Sequence, residues 1–131
     1  MPHVILLCDP AYGEVDLTAS AEELHRLASA VTQGEGLVSA TPSPDDHALA
    51  GIEVRESPGP GVLILLDSPR QLLVISGDPA ARAVLAENLH GMADAEDGGH
   101  LHIDHYPGHF YLAEGSVPLI VNSPHGGMPA R

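Results

Sequence analysis

The sequence predicts an α+β domain, with a mostly antiparallel sheet and two helices packed against it. Three observations carry that expectation. Short aliphatic and β-branched runs of strand length recur along the chain, separated by turns rich in Gly, Pro, Asp and Ser. Two segments carry apolar residues at helical spacing, and each opens on a capping residue. The resulting order is β-β-α-β-β-β-β-α-β-β, an α+β arrangement. With 131 residues the chain suits one domain. That domain is expected over 1–121, and 122–131, with Gly126-Gly127 and two prolines, reads as a loosely held tail. No internal repeat is visible.

The elements follow in order. His3 to Leu7 is aliphatic, Asp9-Pro10-Ala11-Tyr12-Gly13 carries turn chemistry, and Glu14-Val15-Asp16-Leu17 alternates, which makes an opening hairpin. Ser20 with Glu23 forms a capping box ahead of Leu24, Leu27, Ala28 and Val31, and Gly34 ends that helix. His25 is expected on its surface. Gly36 to Ala40 is a short strand, and Thr41 to Asp46 a proline-rich acidic excursion. Ile52 and Val54 alternate with charges in the next strand, which Ser57-Pro58-Gly59-Pro60-Gly61 breaks. Val62 to Leu66 and Leu72 to Ile75 read as central strands joined by a hairpin loop. Asp78 caps a second helix with Pro79 at its first position, and Ala81, Val84, Leu85, Leu89 and Met92 form its apolar stripe. After an acidic loop at Asp94 to Asp97 come a strand from His100 to Tyr106 and a last short strand from Val117 to Val121.

Charge narrows the function. Eighteen Asp and Glu against five Lys and Arg give a formal net charge of -13. Binding to a phosphate backbone needs clustered cations, so a nucleic-acid partner is not expected; a basic protein partner is favoured by such a field. The one cysteine, Cys8, sits in an apolar run and no internal disulfide can form. That run is too short to span a membrane and lacks a basic leader, so the protein is expected in the cytoplasm.

The stretch Gly98 to Tyr111 gathers four of nine histidines and three of four aromatic residues. Inside it, His100-Leu101-His102-Ile103-Asp104-His105 matches the HxHxDH signature of metallo-β-lactamase-type hydrolases, and imidazole is a common zinc ligand. His100, His102 and His105 are therefore candidate metal ligands, with zinc as the alternative to a protein without cofactor. On a strand, however, His105 points away from the face shared by His100, His102 and Asp104. Only His109 and His125 follow as further histidine ligands. No G-x-S-x-G elbow, P-loop or C-x-x-C occurs, so catalysis is not expected. Four neighbouring histidines close to carboxylates could also make binding depend on pH.

A wider similarity covers residues 50 to 121. Ser57-Pro58-Gly59-Pro60, then Leu73-Val74-Ile75-Ser76-Gly77-Asp78-Pro79 and Ala86-Glu87-Asn88-Leu89, then Gly99 to His109 and Tyr111 to Leu119, together resemble the immunity protein 32 family of bacterial polymorphic-toxin systems. The resemblance implies a small cytoplasmic protein that binds and neutralises a cognate toxin, and the charge would suit a basic toxin such as a nuclease. On that reading the focal stretch is a contact surface. Asp104 and Glu114 would pair with Lys or Arg of the partner, while Tyr106, His109 and Tyr111 supply amphipathic contacts. Phe110 and one tyrosine are expected in the core.

Overall fold

The computed structural model describes residues 4–9, 13–41, 47–94, 100–105, 107, 109 and 111–122. The elements are β1 (Val4–Asp9), β2 (Glu14–Ala19), α1 (Ala21–Gln33), β3 (Gly36–Ser39), β4 (Gly51–Glu56), β5 (Val62–Asp67), β6 (Leu72–Gly77), α2 (Pro79–Asp94), β7 (His100–Ile103) and β8 (Leu119–Asn122). This is the order the sequence predicts, and the α+β class holds. The excursion at 42–46, the loop at 95–99 and the tail from 123 onward lie outside the described residues; Asn122, placed in the tail by the sequence, closes β8.

Local chemistry accounts for both helices. Ser20 is extended at the N-cap of α1 and its hydroxyl accepts from Glu23 N at 3.2 Å. Gly34 ends the helix at φ 83°, a left-handed conformation that glycine adopts without a Cβ penalty, and its N–H donates to Ala30 O. Asp78 does the same work for α2: Oδ2 accepts from Ala81 N at 3.1 Å, and Oδ1 accepts from Gly61 N at 2.7 Å, tying the loop before β5 to the helix. The apolar stripes read from the sequence are buried in both helices, apart from Val84, which is half-buried.

The expected single sheet is instead two four-stranded sheets, ordered β1-β2-β8-β7 and β3-β4-β6-β5. Hairpin-like antiparallel pairs dominate, but each sheet is joined at its centre by a parallel pair, β2 with β8 and β4 with β6. Those joints link strands that are not consecutive in the chain, and apolar alternation within a strand carries no information about such a partner.

A repeat invisible in the sequence emerges from the pairing. The chain is ββαββ twice, and exchanging the two halves converts the first sheet into the second. Val4 and Ala19, paired at one end of β1–β2, correspond to Val62 and Gly77, paired at the same end of β5–β6; the displacement is 62 − 4 and 77 − 19, 58 in both cases. Ala21 and Pro79, the first residues of the helices, keep it. Register is preserved across the joints too: Val38↔Ile52↔Leu73 in the second sheet matches Ile103↔Leu119↔Val15 in the first, and all six are buried. The inner faces of both sheets and the facing sides of both helices form one core, in which each fully buried aliphatic side chain contributes about 1.5–3 kcal/mol.

The edges obey the same symmetry. The segment after β3 runs along β1, with Thr41 N donating to Val4 O at 2.7 Å and Leu49 N to Leu6 O at 2.8 Å. The segment after β7 runs along β5, with Ala113 N donating to Val62 O at 2.7 Å and Val117 N to Ile64 O at 2.8 Å. β1 and β5 are thereby covered, and β3 and β7 remain as the outer strands.

Candidate functional site

The focal stretch occupies the β7 edge and the segment that follows it. Ile103 is buried, Leu101 half-buried and His102 exposed, so the strand alternates as expected but ends at Ile103, earlier than the sequence suggests. His102 pairs in register with Ile120, which lies beside Asp16, which pairs with Leu7; these four make one row across the outer face of the first sheet. Asp104 and Glu114 are both exposed. His100 lies at the start of β7 opposite Asn122. Tyr106 and Phe110 lie outside the described residues.

His109 and Tyr111 have structural partners. His109 Nδ1 accepts from the backbone N–H of Leu112 at 3.0 Å and of Tyr111 at 3.3 Å, which requires a lone pair on Nδ1 and so, in the neutral ring, a proton on Nε2. Burial, and secondarily the neighbouring His105, hold its pKa below the ordinary histidine value. The His105 ring stacks on it at a centroid distance of 6.4 Å, and Tyr111 meets it edge-on at 4.7 Å. Tyr111 is buried, its hydroxyl accepts from Asn88 Nδ2 at 3.4 Å, and its carbonyl accepts from Val62 N at 2.7 Å. Among the described residues no three His, Cys, Asp or Glu side chains converge as a metal site.

Two polar clusters that the sequence reading missed lie between the helices, which run antiparallel. At one end His25, expected on the surface, is half-buried: its Nδ1 is 2.6 Å from His90 Nδ1 and its Nε2 is 3.0 Å from Asp94 Oδ1. The two facing Nδ1 atoms need one N–H between them, and His25 Nε2–H donates to the carboxylate. At the other end Arg82 is 2% exposed, with Nε donating to Gly77 O at 2.8 Å and Nη1 to Val31 O at 2.8 Å and Thr32 O at 3.0 Å. Each helix thus sends a polar side chain from its first turns to the C-terminal end of the other. Spacing alone hides this, because Arg82 falls one position from the apolar Ala81 and matches the buried Leu24 of the first half.

The two sheets differ in charge although their backbones correspond. On the outer face of the second, Glu53 Oε1 accepts from Arg70 at 2.7 Å and Arg55 at 2.8 Å, and Arg70 also holds Asp67 at 2.7 Å. The Arg70 guanidinium lowers the pKa of both carboxyls. On the first sheet the position matching Arg55 is Asn122, whose side-chain amide donates to Asp16. An amide solvates that carboxylate and leaves its charge in place. Among the described residues no arginine lies within ion-pair distance of Glu14, Asp16 or Asp104. The first sheet therefore presents the negative face.

Comparison with known proteins agrees with the resemblance read from the sequence. The family model described as Immunity protein 32 matches residues 73–124, from β6 through α2 and β7 to β8. No curated protein and no solved structure matches the chain. Among the described residues no helix is long and apolar enough to cross a membrane.

Proposed function

We propose that this chain is an immunity protein that binds a cognate toxin and neutralises it by occupying its surface, without catalysis. The observation that carries the reading is the family match over 73–124, which covers the focal stretch and the strands that hold it. The charge of -13, concentrated by a first sheet that lacks compensating arginines, supports a basic toxin as the partner. Asp16, Asp104 and Glu114 then supply long-range attraction, which raises the rate of encounter and depends on salt. His102 and Tyr106 are assigned to the same contact. His109 and Tyr111 hold the segment after β7 in shape behind it. A cytoplasmic location fits a protein that protects the cell producing the toxin.

The test is direct binding of the purified chain to the product of the adjacent gene, by calorimetry at 50 and 300 mM salt. A complex of micromolar or tighter affinity that weakens with salt is expected; no complex at micromolar concentration refutes the reading.

A further inference from the structure

Of the four outer strands, β3 and β7 have no covering segment among the described residues, and β3 is the one of the two without a titratable side chain. β1 and β5 are covered by loops, but among the described residues no backbone hydrogen bond reaches Gly36–Ser39 except from β4. Natural edge strands are usually blunted by Lys, Pro, a bulge or a covering segment. β3 reads Gly-Leu-Val-Ser, and Leu37 is 61% exposed, the most exposed large hydrophobic among the described residues.

Beside this edge lies a cavity of about 310 Å³, lined by Glu23 and Arg26 of α1 and by Leu37, Val38 and Ser39. Glu23 is 6% exposed, and its Oε1 is buried with no hydrogen-bond partner. Arg26 Nε stands 3.3 Å from that oxygen, within ion-pair distance but without hydrogen-bond geometry, and its side chain is 59% exposed at the mouth. A buried carboxylate oxygen left without a donor is costly, and a cationic donor brought in from outside would relieve that cost.

We propose that the β3 edge and the Glu23 cavity form the anchoring site for an extended, Lys- or Arg-bearing segment of the partner protein. The segment adds to β3 as a fifth strand of the second sheet, its main chain taking up the open backbone groups. Alternate side chains of an added strand fall on opposite faces. Those on the Leu37 side pack against that leucine; on the Val38 side, where α1 packs, a cation reaches Glu23 Oε1 and its aliphatic stem fills the cavity. The chain's own charge favours a basic occupant. In the symmetry-related positions Ala81, Val84, His102, Ile103 and Asp104 replace Glu23, Arg26, Leu37, Val38 and Ser39, so each outer strand has a carboxylate beside it, buried on the helix at β3 and exposed on the chain at β7. This site rests on the reading of the chain as a toxin-binding protein.

The experiment compares the wild type with Glu23→Gln, Leu37→Lys and Leu65→Lys for binding to the product of the adjacent gene, with thermal melts and sedimentation of each protein alone. Leu65 is 44% exposed on β5, at the opposite side of the same sheet, and serves as the control. Glu23→Gln and Leu37→Lys are each expected to weaken binding at least tenfold, and Leu65→Lys less than twofold. Glu23→Gln should melt no lower than the wild type, which a purely structural carboxylate would not allow. Wild-type binding with Glu23→Gln and Leu37→Lys both within twofold of it overturns the site while leaving the toxin-binding reading intact. No wild-type binding overturns that reading and the site with it. A wild-type dimer that Leu37→Lys converts to monomer would instead assign the edge to a second copy of this chain and overturn the proposal.

Discussion

Replacing Arg82 by leucine tests the helix packing most sharply, because Leu24 fills the corresponding position of the other half. A purely apolar account of the core predicts that R82L is tolerated. The hydrogen bonds predict otherwise. The last carbonyls of a helix have no partners within it, and two of those of α1, on Val31 and Thr32, are served by Arg82 Nη1, while Nε serves Gly77 O. Hydrogen bonds from a charged donor contribute about 1.5–3 kcal/mol each, and a cation at a helix C-terminus adds about 0.3–1 kcal/mol. Nη1 carries two N–H groups, one for each carbonyl of α1; taking those two adjacent carbonyls together as one contribution beside that of Nε gives about 3–6 kcal/mol. Burial of leucine returns about 1.5–3 kcal/mol. The ion pair with Glu56, at 3.6 Å and 72% exposed on the Glu side, is worth little. The net expectation is a loss of about 2–4 kcal/mol, measured as a lower urea midpoint at unchanged slope. R82K should fall between, since an ammonium cannot reproduce the fork. An R82L protein within about 0.5 kcal/mol of the wild type would refute the reasoning, showing that desolvation of the guanidinium had cancelled its hydrogen bonds.

The same packing and charges set further outcomes. Gly34→Ala should destabilise the fold by more than about 1 kcal/mol in urea melts, because φ is positive and a Cβ would stand 2.6 Å from Glu56 Cγ and 2.8 Å from Arg82 Nη1. Acid should act in two windows. His109 has a depressed folded pKa, so the unfolded chain binds its proton first; stability is full above the ordinary histidine value and falls as pH drops below about 6.5, ceasing to fall below the depressed value. Asp78, whose carboxyl is held down by backbone N–H groups of Ala81 and Gly61, and Glu53 and Asp67, held down by Arg70, contribute stability that is present above the ordinary carboxylate range and lost as pH falls through their lowered values. His109→Ala should remove the upper window from a pH series of melts and leave the lower. Elemental analysis of untagged protein should find less than 0.1 zinc per chain, as an order of magnitude; stoichiometric zinc lost on changing His100 and His102 to Ala would restore the metal reading of that cluster.

The sequence shows the elements far better than it shows their partners. Ser20, Gly34 and the Asp78-Pro79 pair act within a few residues of themselves, so their effect is written where they stand. Strand existence was equally local, since Ile52, Val54, Leu73 and Ile75 alternate or cluster on their own. Which strands meet across a parallel joint depends on β8 arriving beside β2 from the far end of the chain, and no local pattern encodes that. The repeat is hidden from the sequence because corresponding positions preserve burial and not identity: Leu24 matches Arg82, and Glu23 matches Ala81. The focal stretch illustrates the same limit. Its histidines read as one cluster, yet His109 turns inward to accept from the backbone N–H of Leu112, and a closer imidazole pair is formed by His25 and His90, sixty-five positions apart on different helices.

The exchange symmetry also bears on how such a chain can be cut or built. Each ββαββ half gives one hairpin to one sheet and one to the other, so neither half closes a sheet by itself. The first half alone leaves β2 and β4 without the neighbours that β8 and β6 provide. A second copy of that half would bring geometrically equivalent strands to both gaps, which makes the fold a single-chain version of a two-chain assembly. Because one chain carries both halves, corresponding positions can hold different residues, as leucine does at 24 and arginine at 82.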